Sequence, residues 1–163
     1  MTTISNELQA KGQAAKTASR LLAKLSSAVK NQAIANIAYA LENDQASILA
    51  ANHMDMEQGK LEGLGDAILD RLLLTPERLI AMAMDVRSVK ALADPVGVTL
   101  DMRVLDNGLK IGKRRVPLGV IGAVYESRPN VTIDISTLCI KSGNAVILRG
   151  GRESMHSNKA LAA

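Results

Sequence analysis

The 163-residue chain has a formal net charge of +4, with 47% hydrophobic and 22% charged residues, which is typical of a folded globular protein and excludes a disordered one. Two Tyr and no Phe or Trp require an aliphatic core and leave few aromatic side chains for base stacking, which disfavours a nucleic-acid partner. There is no signal-peptide pattern and no apolar run of about 20 residues, which disfavours a membrane partner. The single cysteine, Cys139, excludes an internal disulfide and suits a cytoplasmic location.

Apolar residues at helical spacing predict five helices in the first part of the chain. The clearest begins at Thr75-Pro76, because Thr can cap a helix and Pro is tolerated at its first position, and it ends before Asp94-Pro95. The apolar faces of the first, second and fifth helices comprise Leu8, Ala15, Ala18, Leu22 and Leu25; Ile34, Ile37, Ala38 and Leu41; and Leu79, Met82, Ala83, Val86 and Val89.

Capping residues set the expected bounds of the other helices. Ser26-Ser27 supplies a cap for the second helix, and Asp44 is expected to cap a third that ends at Gly59. Asp66 begins a short fourth helix.

The periodicity then changes from that of helices to that of strands. Residues 98–105 and 109–116 predict two strands joined by Asp106-Asn107-Gly108, a hairpin turn signal. Residues 118–124 form a continuous apolar run, which is typical of a strand covered on both faces.

A strand–helix–strand–helix unit occupies the rest of the chain. After the strand at 118–124 come a helix over 130–141 with Gly143 as its C-terminal cap, a buried strand over 145–148, and a helix beginning at Ser154. This order implies a parallel sheet. The expected fold class is therefore α/β, with N-terminal helices, a β-hairpin and the start of a Rossmann-like parallel sheet, and such a sheet needs more chain to pack against.

The loop that follows the second parallel strand is a candidate phosphate site. In parallel sheets ligands gather outside the carboxyl ends of the strands. Gly150 and Gly151 let the backbone approach a ligand, while Arg149 and Arg152 offer guanidinium groups suited to phosphate. A glycine turn flanked by solvated arginines is an equally good interpretation of these residues alone.

The loop after the first parallel strand, "YESRPN", carries a second candidate. Arg128 precedes Pro129, and Asn130 lies where a helix begins. Asn130 is either a helix cap, which spacing alone favours, or a donor to an oxyanion in acyl transfer.

Other reactive side chains offer less. Cys139 lies on an apolar helix face with no His near it in sequence, so an inert packing role is expected rather than nucleophilic catalysis. His53 and His156 are isolated, so no metal site is predicted.

Three segments resemble a known family. "RRVPLGVIGAVYESRPNVTIDISTLCIKSGNAVILRGGRE" (Arg114 to Glu153), "LDRLLLTPERL" (Leu69 to Leu79) and "LADPVG" (Leu92 to Gly97) are very similar to gamma-glutamyl phosphate reductases, also called glutamate-5-semialdehyde dehydrogenases. The resemblance covers essentially the whole chain. It implies a coenzyme domain of the aldehyde dehydrogenase type and a cytoplasmic, NADP-dependent oxidoreductase of proline biosynthesis.

The resemblance implies a reaction and roles for the candidate residues. NADPH reduces L-glutamate 5-phosphate to L-glutamate 5-semialdehyde and phosphate, by way of a thioester on a cysteine thiolate. Asn130 matches the residue that stabilises the oxyanion, and Arg149 matches the basic residue at the adenosine ribose. Arg152 stands where NAD-preferring relatives often carry a glutamate, so it suits a 2′-phosphate, and Gly150 and Gly151 admit the dinucleotide. Arg128 is the candidate for binding the acyl phosphate.

The resemblance also implies a domain organisation and partners. Residues 1–97 are the N-terminal helical part of the coenzyme domain, and residues 98–116 are an oligomerisation arm. Residues 117–163 are the first βαβα unit of the coenzyme domain, which is incomplete. The family's cysteine nucleophile lies further along the chain in a separate catalytic domain, so this chain is expected to be an N-terminal piece that is inactive alone. A homo-oligomer and functional coupling to glutamate 5-kinase are expected. The alternative is a non-catalytic basic binding or assembly module that uses the hairpin as its interaction surface.

Overall fold

The computed structural model describes the backbone of residues 2–163 and the side chains from residue 6 onward. Five helices occupy its first part, as predicted. They are α1 (Thr2–Leu22), α2 (Ser27–Asn43), α3 (Gln45–Leu61), α4 (Asp66–Leu72) and α5 (Pro76–Ala91). The predicted caps of α2 and α5 are confirmed, since Ser26 Oγ accepts from the Val29 amide at 3.4 Å and Thr75 Oγ1 accepts from the Arg78 amide at 3.2 Å.

Two predicted helix boundaries are wrong. Helix α3 does not end at Gly59 but continues to Leu61, and the left-handed residue after it is Gly63, with φ +75°. Gly59 is buried inside the helix, where a Cβ would come within 3.1 Å of the Leu64 and Leu69 side chains. Its lack of a side chain therefore serves the close packing of α3 against the following segment. Leu25 lies beyond the end of α1 and is exposed.

The core is aliphatic, as the missing Phe and Trp require. Helices α2 and α5 pack against each other, and α6 (Asn130–Lys141) covers both. The buried residues of this cluster are Ile34, Ala38, Leu41, Ile48, Leu74, Leu79, Met82, Ala83, Val86 and Ile133. Most of the residues predicted for the apolar faces of α2 and α5 are among them.

The four strands form two separate two-stranded sheets. Strands β1 (Thr99–Val104) and β2 (Lys110–Arg114) pair antiparallel around the predicted turn, in which Gly108 has φ +83°. Strands β3 (Val120–Val124) and β4 (Ala145–Arg149) pair parallel, with α6 as the connection between them. A 3₁₀ turn over Arg152–Ser154 then leads into α7 (Met155–Ala162).

The expectation that β3 is covered on both faces is wrong for the described residues. Val120 is 38% and Val124 is 85% exposed. Within residues 2–163 β3 has a strand on one edge only, and α1 and α6 pack mainly against β4. An apolar run predicts how much burial a strand requires, but not which element supplies it.

Asp55 of α3 caps α7 from a distance. Its buried carboxylate accepts from the backbone amides of His156 (3.0 Å) and Ser157 (2.7 Å), and also from the Ser157 hydroxyl (2.6 Å). The His156 ring Nδ1 lies 2.7 Å from the same carboxylate. The acid meets the positive end of the α7 dipole, and this contact fixes the start of the helix that follows the glycine loop.

A second buried charge joins the helices to the segment before the hairpin. The Lys30 side chain is 1% exposed, and its ammonium contacts the Asp94 carboxylate and donates to the Lys141 carbonyl at 3.2 Å. Asp94 also accepts from the Ser27 hydroxyl at 2.6 Å and the Val96 amide at 2.9 Å. Partial burial opposes ionisation of Asp94, but these hydrogen bonds and the Lys30 charge outweigh it and lower its pKa to about 2.

The substitution Asp94→Asn tests this pair. Because the pKa of Asp94 is lowered in the folded state, its contribution to stability is complete at neutral pH and is lost as the pH falls from about 4 to about 2. We expect the variant to lose about 3 kcal/mol at pH 7, since Lys30 keeps a buried charge without its partner. Urea unfolding at pH 7, 4 and 3 should show this difference shrinking with acidification. An equal difference at all three values would contradict the assignment, and the exposed Asp106→Asn is the control.

The substitution Asp55→Asn tests the distant cap of α7. An amide can accept with only one of its two terminal atoms, so one backbone amide of α7 would lose its acceptor. We expect a loss of about 2 kcal/mol in the free energy of unfolding. The matched control is Glu57→Gln on the same helix, whose exposed pair with His53 contributes little. Equal stabilities of the two variants would contradict the capping role.

Candidate functional site

The two candidate loops lie side by side at the carboxyl ends of the parallel strands. The strand register pairs Val124 with Arg149, and the Tyr125 amide donates to the Arg149 carbonyl at 3.1 Å. Glu153 then joins the loops, because its carboxylate accepts from both the amide (2.6 Å) and the hydroxyl (2.8 Å) of Ser127. The two loops therefore lie next to each other at one edge of the sheet, as expected.

A basic cleft of about 580 Å³ opens at the loop after β4. It is lined by all four residues predicted to bind the cofactor, Arg149, Gly150, Gly151 and Arg152. Lys11 of α1 and Lys159 of α7 add two further cations, and Glu7, which pairs with Lys11 at 2.7 Å, adds one acid. Four cations against one carboxylate suit a ligand that carries phosphate groups.

The Arg149 and Arg152 side chains are both exposed at this cleft. The Arg149 guanidinium folds back onto the Gly150 carbonyl. The Arg152 guanidinium makes no hydrogen bond or ion pair with any residue whose side chain the structure describes. Guanidinium forks match phosphate oxygens, so Arg152 has the chemistry to bind a phosphate group at this cleft.

The two glycines allow close contacts within the protein itself. A Cβ on Gly150 would overlap the Asn158 amide, and one on Gly151 would overlap the Glu153 carboxylate. Asn158 in turn accepts from Thr132 at 2.9 Å and donates to the buried Ser154 hydroxyl at 2.9 Å. The backbone of the loop thus packs against the hydrogen-bonded side chains of Asn158, Thr132 and Ser154.

Glu153 is ionised where it bridges the loops. Partial burial acts to raise its pKa, but hydrogen bonds from the backbone and from Ser127, together with the Arg149 charge, leave the pKa below its ordinary value. A carboxylate that accepts two short hydrogen bonds is a strong link. It connects the residue after Arg152 to Ser127, the residue before Arg128.

The capping interpretation of Asn130 is wrong. Asn130 is the first residue of α6, and buried Pro129 occupies the cap position. The Asn130 amide donates to the Asp134 carboxylate at 3.1 Å, one turn along the helix. Burial raises the pKa of Asp134, and the nearby charge of Asp85 adds to the rise. Since an amide nitrogen carries two hydrogens, one remains for a ligand.

Arg128 and Asn130 line a second cleft, separate from the basic one. It measures about 410 Å³ and lies between the "YESRPN" loop and the helices α4 and α5. Its other charged residues are Asp70, Arg71, Arg78 and Asp85. The predicted site residues therefore fall into two clefts, which Glu153 and Ser127 connect.

Cys139 lies in neither of these two clefts. It is buried on α6, and burial raises the pKa of its thiol, which disfavours the reactive thiolate. His53 pairs with Glu57 on the surface, whereas His156 contacts Asp55. In the part of the chain that the structure describes, no three potential metal ligands are grouped. None of the described helices is long and apolar enough to cross a membrane.

Sequence reasoning missed four cations that line the clefts: Lys11, Arg71, Arg78 and Lys159. Lys159 follows Arg152 by seven residues, about two helical turns, and that spacing could have indicated it. The other three come from helices far away in sequence, so no local pattern points to them.

Comparison with known proteins gives a consistent result. No family model matches the chain. It is 60% identical over 153 residues to the gamma-glutamyl phosphate reductase of Serratia proteamaculans, which covers 94% of this chain and 37% of that protein. The chain thus spans little more than a third of the length of this curated relative.

Solved structures extend the similarity to the fold. The gamma-glutamyl phosphate reductase of Thermotoga maritima superposes with a TM-score of 0.93 at 41% identity, covering 95% of this chain and 37% of that one. An acetylating aldehyde dehydrogenase from Geobacillus thermoglucosidasius, at 16% identity, covers 95% of this chain and 32% of that one with a TM-score of 0.65, a likeness of fold alone. The α/β fold class and the resemblance to gamma-glutamyl phosphate reductases are therefore confirmed: nearly all of this chain matches one part of that family of proteins.

Proposed function

We propose that this chain forms the NADPH-binding cleft and supplies the oxyanion-stabilising asparagine of a proline-biosynthesis reductase that converts L-glutamate 5-phosphate into L-glutamate 5-semialdehyde and phosphate. One observation carries the proposal: the Arg149–Arg152 loop lines a basic cleft at the carboxyl end of β4, in a chain 60% identical to a gamma-glutamyl phosphate reductase. Carboxyl ends of parallel strands are where such folds bind nucleotides.

The residues present fit a phosphorylated dinucleotide. All three cations Arg149, Lys11 and Arg152 line the cleft. In this proposal Arg149 and Lys11 bind the adenosine ribose and the pyrophosphate, and Arg152 binds the 2′-phosphate that distinguishes NADPH from NADH. When bound, NADPH supplies the reducing equivalents. The protein's part is to hold the adenosine end against a loop that Asp55, Asn158 and Glu153 keep in place.

Asn130 acts on the substrate side in this proposal. Negative charge develops on the acyl oxygen as the carbonyl carbon becomes tetrahedral. An amide hydrogen already aimed at that position stabilises the charge without any reorganisation at the moment of reaction. The bond to Asp134 fixes the side-chain rotamer and leaves the second hydrogen to do this.

In this proposal the nucleophile is not Cys139, the single cysteine of this chain. The Cys139 thiol is buried and its pKa is raised, so we assign the thioester-forming cysteine to another part of the enzyme and expect this chain alone to be inactive.

The hairpin supports the proposed homo-oligomer. Its strand β1 exposes the apolar side chains of Leu100, Met102 and Val104, of which Met102 lies over Gly112 of β2. Such a surface is typical of an interface. A cytoplasmic location and coupling to glutamate 5-kinase belong to the same proposal. The alternative, a non-catalytic assembly module, would use this hairpin and leave the basic cleft without a dinucleotide.

The substitution Arg152→Glu tests the coenzyme assignment. We expect the wild-type chain to bind NADPH more tightly than NADH, by on the order of 10–100-fold, as one lost charge-assisted contact implies. The variant should lose this preference, because a carboxylate repels the 2′-phosphate and accepts from ribose hydroxyls instead. Calorimetric titration with both coenzymes measures the two dissociation constants.

Arg103→Glu on the hairpin makes the same change of charge away from the cleft and should leave the preference intact. Equal affinity of the wild-type chain for both coenzymes would remove the role given to Arg152. Binding of neither coenzyme would favour the assembly module.

The substitution Asn130→Ala tests the oxyanion role in a full-length reductase that carries this 163-residue segment. Turnover should fall by about 10²–10³-fold while the KM for the substrate changes little, because the contact strengthens in the transition state. Asp134→Asn keeps an acceptor for the Asn130 amide and should retain most of the turnover. An unchanged rate for Asn130→Ala would leave the residue with a structural role only.

A further inference from the structure

The second cleft contains charges that the coenzyme does not require. It is lined by three arginines and two aspartates, and Asn130 forms part of its wall. The resemblance drew attention to Arg128 and Asn130 alone. The structure adds α4 and α5 as the opposite wall, and these helices contribute Arg71, Arg78, Asp70 and Asp85.

Two of these charges satisfy each other. One nitrogen of the Arg78 guanidinium donates to the Leu73 carbonyl at 2.9 Å, and another donates to the Asp70 carboxylate at 2.7 Å. Arg78 also donates to the Asp70 carbonyl, so its fork closes the end of α4. Arg78 and Asp70 therefore serve to hold the last turn of α4, which carries Arg71, in a fixed place.

The remaining charges of this cleft are of mixed sign, and they have no partner among the side chains that the structure describes. Neither the Arg71 nor the Arg128 guanidinium makes a hydrogen bond or ion pair with any residue that the structure describes, and both side chains are exposed. Asp85 likewise forms no ion pair with any of those residues. Its negative charge helps to raise the pKa of Asp134, which accepts a hydrogen bond from Asn130. Two free guanidinium groups and one free carboxylate thus line a cleft next to the proposed oxyanion donor.

This set of charges is complementary to an α-amino acid that carries an acyl phosphate. Such a molecule has two anionic groups, the phosphoryl group and the α-carboxylate, and one cationic group, the α-ammonium. Guanidinium forks bind both kinds of anion in a bidentate manner, and a carboxylate binds the ammonium. Arg128 lies two residues from Asn130, so it is on the side of the reacting carbon, whereas Arg71 on α4 is on the opposite wall.

We propose that this cleft is the binding subsite for the amino-acid phosphate, in which Arg128 binds the phosphoryl group, Arg71 binds the α-carboxylate and Asp85 binds the α-ammonium. Arg71 and Asp85 are then specificity-determining residues, since they bind the α-carboxylate and the α-ammonium, which do not change in the reaction. This inference rests on the proposed function, because that function supplies the substrate class.

The probe is a stable analogue of L-glutamate 5-phosphate in which a methylene group replaces the bridging oxygen. Calorimetry on the full chain measures its dissociation constant and, separately, that of inorganic phosphate. Arg71→Met should weaken binding of the analogue by on the order of 10–100-fold and leave phosphate binding unchanged. Arg128→Met should weaken both ligands. Arg103→Met, on the hairpin, removes the same charge and should change neither.

A second arm tests Asp85. Asp85→Asn should weaken the analogue but not its counterpart that lacks the amino group. All three cleft residues are exposed, so their variants should fold, and circular dichroism with urea unfolding confirms this. Wild-type affinity of Arg71→Met for the analogue would overturn the proposal, as would equal losses for analogue and phosphate.

A titration with NADPH in the same preparations separates this inference from the proposed function. If NADPH binds and the analogue does not, the subsite is wrong while the coenzyme assignment stands. If the analogue binds as expected and NADPH does not, the coenzyme assignment fails and the amino-acid phosphate subsite remains.

Discussion

The parallel pairing of β3 with β4 is the constraint on which both clefts depend. It brings the ends of two strands, twenty-odd residues apart in sequence, to adjacent positions, with Val124 opposite Arg149. Each strand then leads into a loop that lines a different cleft. Without this register Arg128 and Arg152 would have no fixed relation to each other, and neither cleft would have its present lining.

Rigid elements hold the loops in place, whereas Arg71, Arg128 and Arg152 make no side-chain hydrogen bond or ion pair with the residues that the structure describes. Asp55 fixes the start of α7, and the hydrogen bonds through Thr132, Asn158 and Ser154 support the glycine loop from below. Arg78 does the same for the end of α4. The side chains that would contact a ligand make few hydrogen bonds within the protein, whereas the supporting side chains beneath them make several each. This division is typical of a preorganised binding site.

Local patterns predicted most of the fold because helices and hairpins depend on nearby residues. The cap at Thr75, the turn at Gly108 and the end of α6 at Gly143 are all confirmed. The failures involve packing that local patterns do not reveal. Gly59 lies inside a helix, where its missing side chain makes room for Leu64 and Leu69, and β3 is exposed because the helices pack on β4.

The same distinction applies to the candidate site. Residues 128–130 and 149–152 could be identified in sequence because they lie at or shortly after the ends of the two parallel strands, and their assigned roles came from the family resemblance. Lys11 and Arg71 could not be identified, because they reach the clefts only through the packing of α1 and α4. The hydrogen bond from Asn130 to Asp134 likewise could not be predicted, because it depends on the Asn130 side-chain rotamer and residue type alone does not fix that rotamer.

The carboxylate of Glu153 links the loops that line the two clefts. It directly follows Arg152 in the loop of one cleft and accepts hydrogen bonds from Ser127, the neighbour of Arg128, in the loop of the other. A dinucleotide phosphate that repelled this carboxylate would loosen its hold on Ser127 and so change the affinity of the opposite cleft. Thermodynamic linkage requires the reverse effect to be equally large, so occupancy of either cleft would be communicated to the other through one side chain.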